Sequence, residues 1–141
     1  MRVVVDTNIL VSALIRPDGT VGSVLKHLRD GAYTLLYSKS SLEELVDVLT
    51  RPKIQGKYGL TEDDVETVLA LLLARGEAVV VTRRITVCRD PKDDQFLEIG
   101  VADRADIIVS GDEDLLVIDC FEKIPILSST EFLDRLDQKE H

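Results

Sequence analysis

Several residue types with special chemistry are almost missing from this chain of 141 residues. It has two cysteines, two histidines and no tryptophan, and aromatic residues make up 4%. Cys88 and Cys120 are far apart and form no Cys-x-x-Cys pair, which excludes a disulfide scaffold and a Cys-rich zinc site. His27 and the final residue, His141, are too few for a histidine-based zinc centre or a two-histidine nuclease. Long apolar runs are missing as well. Val79–Val81 and Leu69–Ala74 fall far short of the roughly 20 residues a bilayer span requires. The run after Arg2 breaks at Asp6, too soon for the apolar region of a signal peptide. A cytoplasmic protein without a membrane span is the expectation. Positive charge is in deficit, with 17 Lys and Arg against 26 Asp and Glu and a net charge of −9. That balance disfavours nucleic-acid binding by a broadly basic surface. The exception is a site where clustered carboxylates hold divalent ions, because the ions invert the local sign.

What is present is the composition of an ordinary globular domain, 45% apolar and 30% charged. The length predicts a single domain over residues 1–141. Arg2–Asp6 is an apolar run closed by Asp-Thr-Asn, as in a buried strand feeding a turn. Val21, Val24, Leu25 and Leu28 make a helical stripe that ends at Asp30-Gly31, and Thr34–Tyr37 is a second strand. Ser41 opens a helix with Leu42, Leu45, Val46 and Leu49 on one face, stopped by Arg51-Pro52. Lys53–Gly59 is expected to be a loop. Thr61 then caps a helix, with Asp64 as its capping-box partner, a stripe of Val65, Val68, Leu69 and Leu72, and Gly76 at its end. Ala78–Val81 is a strand candidate. A turn at Asp90-Pro91 precedes a helix over about Asp94–Arg104. Asp106–Ser110 and Ile124–Leu127 are strands, and Thr130–Leu136 is a terminal helix. Alternation of strands and helices predicts an α/β domain with a mostly parallel sheet, in which function gathers at the carboxyl ends of the strands.

The chemistry has to come from carboxylates. Asp6 ends the first strand and could serve simply as an N-cap. Ser41 and Glu44 have capping-box spacing, which competes with a site role for Glu44. However, Glu44 shares its helical row with Val48, whereas Glu43 shares a solvated edge with Asp47. Asp93 and Asp94 begin a helix, where acids favour the dipole. Asp112 and Asp114 follow the Ile107–Val109 strand in a turn sequence. Each acid has a structural explanation on its own, but together they come from four separate elements. Two carboxylates about 5 Å apart repel by roughly 3 kcal/mol at an effective dielectric of about 20. A group of four is therefore suited to a hard divalent cation such as Mg²⁺ or Mn²⁺, able to activate water at a phosphodiester.

These segments also resemble a known family. Val3-Val4-Val5-Asp6-Thr7-Asn8-Ile9-Leu10 is similar to the opening of PIN-domain proteins. Ser41–Leu45 with Leu49–Pro52, Asp90–Glu98 and Asp106–Leu115 resemble the later segments in the family's order, and Ile126–Leu133 its tail. The resemblance implies a three-layer α/β/α PIN-like fold with a central mostly parallel sheet. It implies a metal-dependent endoribonuclease acting on single-stranded RNA, similar to VapC-like toxins of toxin–antitoxin pairs. An antitoxin protein is the implied partner, and a homo-oligomer is the expected state. Carried over by position, Asp6, Glu44, Asp94 and Asp112 would bind Mg²⁺ or Mn²⁺ and be catalytic. Asn8, Ser110, Asp93 and Asp114 would support them, with Asp93 and Asp94 as alternatives for the third ligand. Arg16, Arg51, Arg83, Arg84 and Arg89 are the candidate phosphate contacts. The contrasting alternative is a binding or oligomerisation module of the same fold with little nuclease activity. The stripe at Val65, Val68, Leu69 and Leu72 would then be either core or dimer interface. A phospho-accepting receiver domain fits poorly, since Lys123 precedes the late strand rather than following it.

Overall fold

The computed structural model describes residues 1–140, with side chains as far as residue 138; His141 lies outside the described residues. In chain order the elements are β1 (Arg2–Val5), α1 (Thr7–Ile15), α2 (Gly22–Arg29), β2 (Thr34–Tyr37), α3 (Lys39–Leu49), α4 (Pro52–Tyr58) and α5 (Glu62–Arg75). They continue with β3 (Gly76–Ala78), α6 (Pro91–Ala102), β4 (Ile107–Val109), α7 (Glu113–Leu116), β5 (Cys120–Phe121), β6 (Ile124–Leu127) and α8 (Ser129–Glu140). The strands form one sheet in the order β3-β2-β1-β4-β6-β5. Every pairing is parallel except the β5–β6 hairpin. No helix among the described residues is long and apolar enough to cross a membrane.

The two-residue period of a strand makes the three layers. Val3 and Val5 enter a core with Leu28 of α2, Leu45 of α3, Leu72 of α5 and Phe132 of α8. Val4 and Ile108 point the other way, into a second core with Phe96, Leu97 and Ile99 of α6. Val65, Val68 and Leu72 of the α5 stripe are buried in the first core, while Leu73 is the large apolar residue that this helix leaves exposed, at 64%. Gly100 lets α6 lie close on the sheet, since a Cβ there would stand 3.0 Å from Ile108 Cδ1. Gly76 joins α5 directly to β3, and a Cβ there would stand 2.5 Å from the Leu72 carbonyl oxygen.

Four boundaries differ from expectation, each for a local reason. The third helix begins at Lys39 rather than Ser41, because Ser38 is its N-cap. The Ser38 amide donates to Ser41 Oγ at 2.9 Å and the Ser41 amide to Ser38 Oγ at 3.1 Å. That box satisfies the helix end and leaves the Glu44 carboxylate out of the capping. The expected loop at Lys53–Gly59 is mostly α4, a helix with no buried residue and so no apolar stripe to reveal it. Pro52 at its first turn and the left-handed Gly59 (φ 64°) bound it. The strand expected at Ala78–Val81 lies earlier, at Gly76–Ala78, because its partner β2 ends at Tyr37. Helix α6 likewise starts earlier than Asp94, with Asp90 accepting from the Lys92 amide as its cap and Pro91 following. The Thr61–Asp64 capping box of α5 is present as expected.

Elements α7 and β5 have no counterpart in the sequence pattern. The turn between β5 and β6 puts Glu122 (φ 47°) and Lys123 (φ 72°) both in the left-handed region, the geometry that favours Asn-Gly. Lys123→Gly therefore stabilises the chain by about 1 kcal/mol, measurable as a higher urea midpoint with unchanged slope.

Candidate metal centre

The sheet order creates the site. From β1 the chain crosses to β2 on one side, while β4 pairs on the other, so the direction of winding changes between β1 and β4. At such a switch point the loops leaving adjacent strand ends diverge and open a crevice. Asp6 leaves β1 and Ser110-Gly111-Asp112 leaves β4 at this place. The register Val5↔Val109 sets them side by side, and the Asp6 amide donates to the Val109 carbonyl at 2.9 Å.

Asp6 is both a cap and a buried acid. Its Oδ1 accepts from the Asn8 amide at 3.0 Å, closing the start of α1, while its Oδ2 accepts from Ser110 Oγ at 2.9 Å. Only 2% of the residue is exposed. Burial raises the Asp6 pKa; the Asn8 amide and the Ser110 hydroxyl oppose the rise, and Asp112 and Glu44 add to it. Ser110, fully buried, also accepts from the Asp112 amide at 3.0 Å, so one hydroxyl ties the two acidic strand ends together. Asn8 contributes its amide, and its side chain is exposed.

The third acid comes from α6, and its two neighbouring candidates separate. Asp93, Asp112 and Asp114 each offer an oxygen such that the three lie within 4.8 Å of one another. Burial, then the negative charges of Asp112, Asp6 and Asp90, push the Asp93 carboxyl up to about 6. Asp94 is engaged elsewhere, its Oδ1 accepting from the amides of Val87 at 3.0 Å and Cys88 at 2.8 Å. It latches the irregular segment before α6, as Glu98 Oε2 does by accepting from the Ile85 amide at 2.9 Å. Burial, with Asp94 alongside, pushes the Cys88 thiol up to about 12, so it is not a nucleophile. Asp94→Asn keeps an acceptor for both amides and leaves metal affinity within about threefold. By contrast, Asp94→Ala orphans them and costs about 2–3 kcal/mol of stability. Denaturation with and without metal checks both.

Glu44 of α3 is half-buried and faces the acids from the side. Its Oε2 accepts from Gln95 Nε2 of α6, while Glu43 is exposed and only 4.0 Å from Lys39. Gln95 has no acid–base chemistry and carries no motif signal, so sequence patterns pass over it. Arg89 donates from Nε and Nη2 to Asp114 Oδ1 at 3.1 and 2.6 Å, placing one guanidinium against the cluster. Arg16 forms no ion pair among the described residues, and Arg51 pairs with Asp47.

The donor set is all oxygen, with raised carboxyls at its centre, and suits a hard divalent ion. The oxygens of Asp93, Asp112 and Asp114, within 4.8 Å of one another, are near enough for one such ion to draw together. Among the described residues no histidine or cysteine joins the cluster.

Comparison with known proteins agrees with the fold. Residues 2–114 match a family model described as PIN domain. An uncharacterized protein of Methanocaldococcus jannaschii, MJ1680, is 31% identical over 116 residues, covering 82% of this chain and 74% of that protein. In a crystal structure of VapBC2 from Rickettsia felis bound to a DNA fragment from their promoter, one chain has a similar fold. The TM-score is 0.60 at 16% identity, over 91% of this chain and 98% of that one.

Proposed function

Because the chain belongs to the PIN-domain family, whose members are generally nucleases, we propose that it is a divalent-metal-dependent endoribonuclease of single-stranded RNA. The observation that carries this reading is the convergence of Asp6, Asp93 and Asp112 at the β1/β4 switch point. In it Asp93, rather than Asp94, is the third metal-binding carboxylate, with Glu44 at the flank and Asp114 beside Arg89. Mg²⁺ or Mn²⁺ bound there supplies an acidified water and charge to stabilise the leaving oxygen. The chain's own residues hold the geometry. Ser110 fixes the plane of Asp6 and the start of the Asp112 turn; Gln95 directs Glu44 inward; Asp94 and Glu98 keep the preceding segment against α6. Hydrolysis then proceeds without a covalent enzyme intermediate: burial and the neighbouring carboxylates raise the Cys88 thiol, and the Ser110 hydroxyl is fully buried, held between Asp6 and the Asp112 amide. The fold's likeness to a chain of a VapBC2 complex supports a toxin role, with an antitoxin protein as partner.

The test is cleavage of a mixed single-stranded RNA with Mg²⁺ or Mn²⁺, against chelator and against Asp6→Asn. Cutting that needs metal and disappears in the variant supports the reading. Cutting by the purified chain in chelator, or undiminished in Asp6→Asn, overturns it.

A further inference from the structure

The stretch Val87-Cys88-Arg89-Asp90 leads into α6 outside any helix or strand, yet its backbone is fixed on both sides of Arg89. Before it, the amides of Val87 and Cys88 donate to Asp94 Oδ1. After it, Asp90 Oδ1 accepts from the Lys92 amide at 2.9 Å as the cap of α6. The Arg89 side chain is 87% exposed but anchored: Nε and Nη2 both donate to Asp114 Oδ1, in the first turn of α7. Because the two donors share one oxygen, three of the five guanidinium N–H groups stay outside this contact. An exposed ion pair of this kind adds little stability, so holding the fold together does not account for it.

Among the described residues this is the one ion pair that reaches an acid of the metal centre. Arg51 and Arg83 are held by Asp47 and Glu122. The charge balance of the centre calls for a local cation. Asp6, Asp93, Asp112 and Asp114, when ionised, outweigh the charge of one divalent ion, and the whole chain adds a net −9. A phosphodiester, itself an anion, is repelled by that surplus unless a positive group meets it there. A guanidinium already seated on Asp114 offsets part of the surplus, and its planar fork matches two non-bridging phosphate oxygens. We propose that Arg89 grips the reacting phosphodiester, its outward N–H groups binding the non-bridging oxygens while Asp114 holds the guanidinium from the other side; this rests on the nuclease reading above.

The experiment measures cleavage of a labelled single-stranded RNA in Mn²⁺ by the full chain and by Arg89→Ala, Arg89→Lys and Arg29→Ala. Mn²⁺ affinity and melting temperature are measured on the same proteins. Arg29 ends α2 ahead of β2, at the amino edge of the sheet, so its removal changes net charge equally but away from the centre. Arg89→Ala is expected to lower kcat about 100-fold and to raise KM only about threefold, because the contact strengthens as charge builds on the phosphate oxygens. Arg89→Lys recovers at most about tenfold, a point charge replacing a fork, and added guanidinium ion partly restores Arg89→Ala. Mn²⁺ affinity stays equal or rises, since a cation beside the ligands is gone, and the melting temperature stays within about 2 °C. Arg29→Ala cuts like the wild type. The proposal is overturned if Arg89→Ala cuts as well as Arg29→Ala, or loses cutting together with Mn²⁺ affinity or melting temperature, as a residue that merely orders Asp114 would. Binding of the RNA at saturating Mn²⁺ in an Asp6→Asn background separates this from the nuclease reading. If the wild type does not cut but Arg89→Ala weakens that binding and Arg29→Ala does not, the phosphate contact stands and the nuclease reading fails. If the wild type cuts and Arg89→Ala retains full cutting, the nuclease reading stands and the contact fails.

Discussion

Asp93→Asn is expected to lower metal-dependent RNA cleavage by at least about a thousandfold while making the metal-free chain more stable. The loss follows from removing a ligand charge at the centre of the cluster, and about 4 kcal/mol of transition-state stabilisation corresponds to that factor. The gain in stability has the same origin. Asp93 is 9% exposed and lies against Asp112, so its ionised form is disfavoured in the fold by burial and by like charge. An amide of the same shape carries neither penalty. Relief of about 1–2 kcal/mol raises Tm by roughly 3–6 °C for a chain of this size. Calorimetry in chelator and a cleavage assay check the two halves. A variant that is inactive and also less stable would mean that Asp93 packs structurally and repulsion does not dominate.

The pH dependence of metal binding and of stability is the second large effect, and the two run in opposite directions. The Asp93 carboxyl titrates at about 6 in the fold against an ordinary value of 3.8. A pKa raised by folding contributes stability that is complete below the unfolded value and lost as pH climbs through the folded one. The metal-free chain therefore becomes less stable between about pH 4 and about pH 6 on account of Asp93, and burial drives Asp6 in the same sense. A divalent ion needs the ionised form, so its binding displaces a proton. Below about pH 6 each unit of acidification should reduce Mn²⁺ affinity about tenfold, and above it the affinity levels off. Melting temperatures across this range, with chelator and with saturating Mn²⁺, should converge in acid and separate near neutrality. In Asp93→Asn the separation should shrink throughout.

The layered fold and the acidic strand ends were open to reading because their signals are local. Val3–Val5 and Ile107–Val109 are short β-branched runs, each followed by acids, and parallel strands put those ends at one edge. The choice between Asp93 and Asp94 is not local. Adjacent helical residues point about 100° apart, and which of them meets Asp112 depends on how α6 sits on β4, through the close approach at Gly100 and Ile108. Asp94 is as acidic as its neighbour but spends its oxygen on the Val87 and Cys88 amides. Ser38 rather than Ser41 as the cap of α3 follows from where β2 stops, again a tertiary fact. Gln95 and the latching role of Glu98 arise from contacts that leave no periodic trace.

Anomalous diffraction from Mn²⁺ in crystals of the wild-type chain examines the metal centre itself. A single strong peak bonded to carboxylate oxygens of Asp93 and Asp112, with Asp6 on the same side, is the expected result. A peak at Asp94, or no ordered ion at saturating Mn²⁺ near neutral pH, would contradict it.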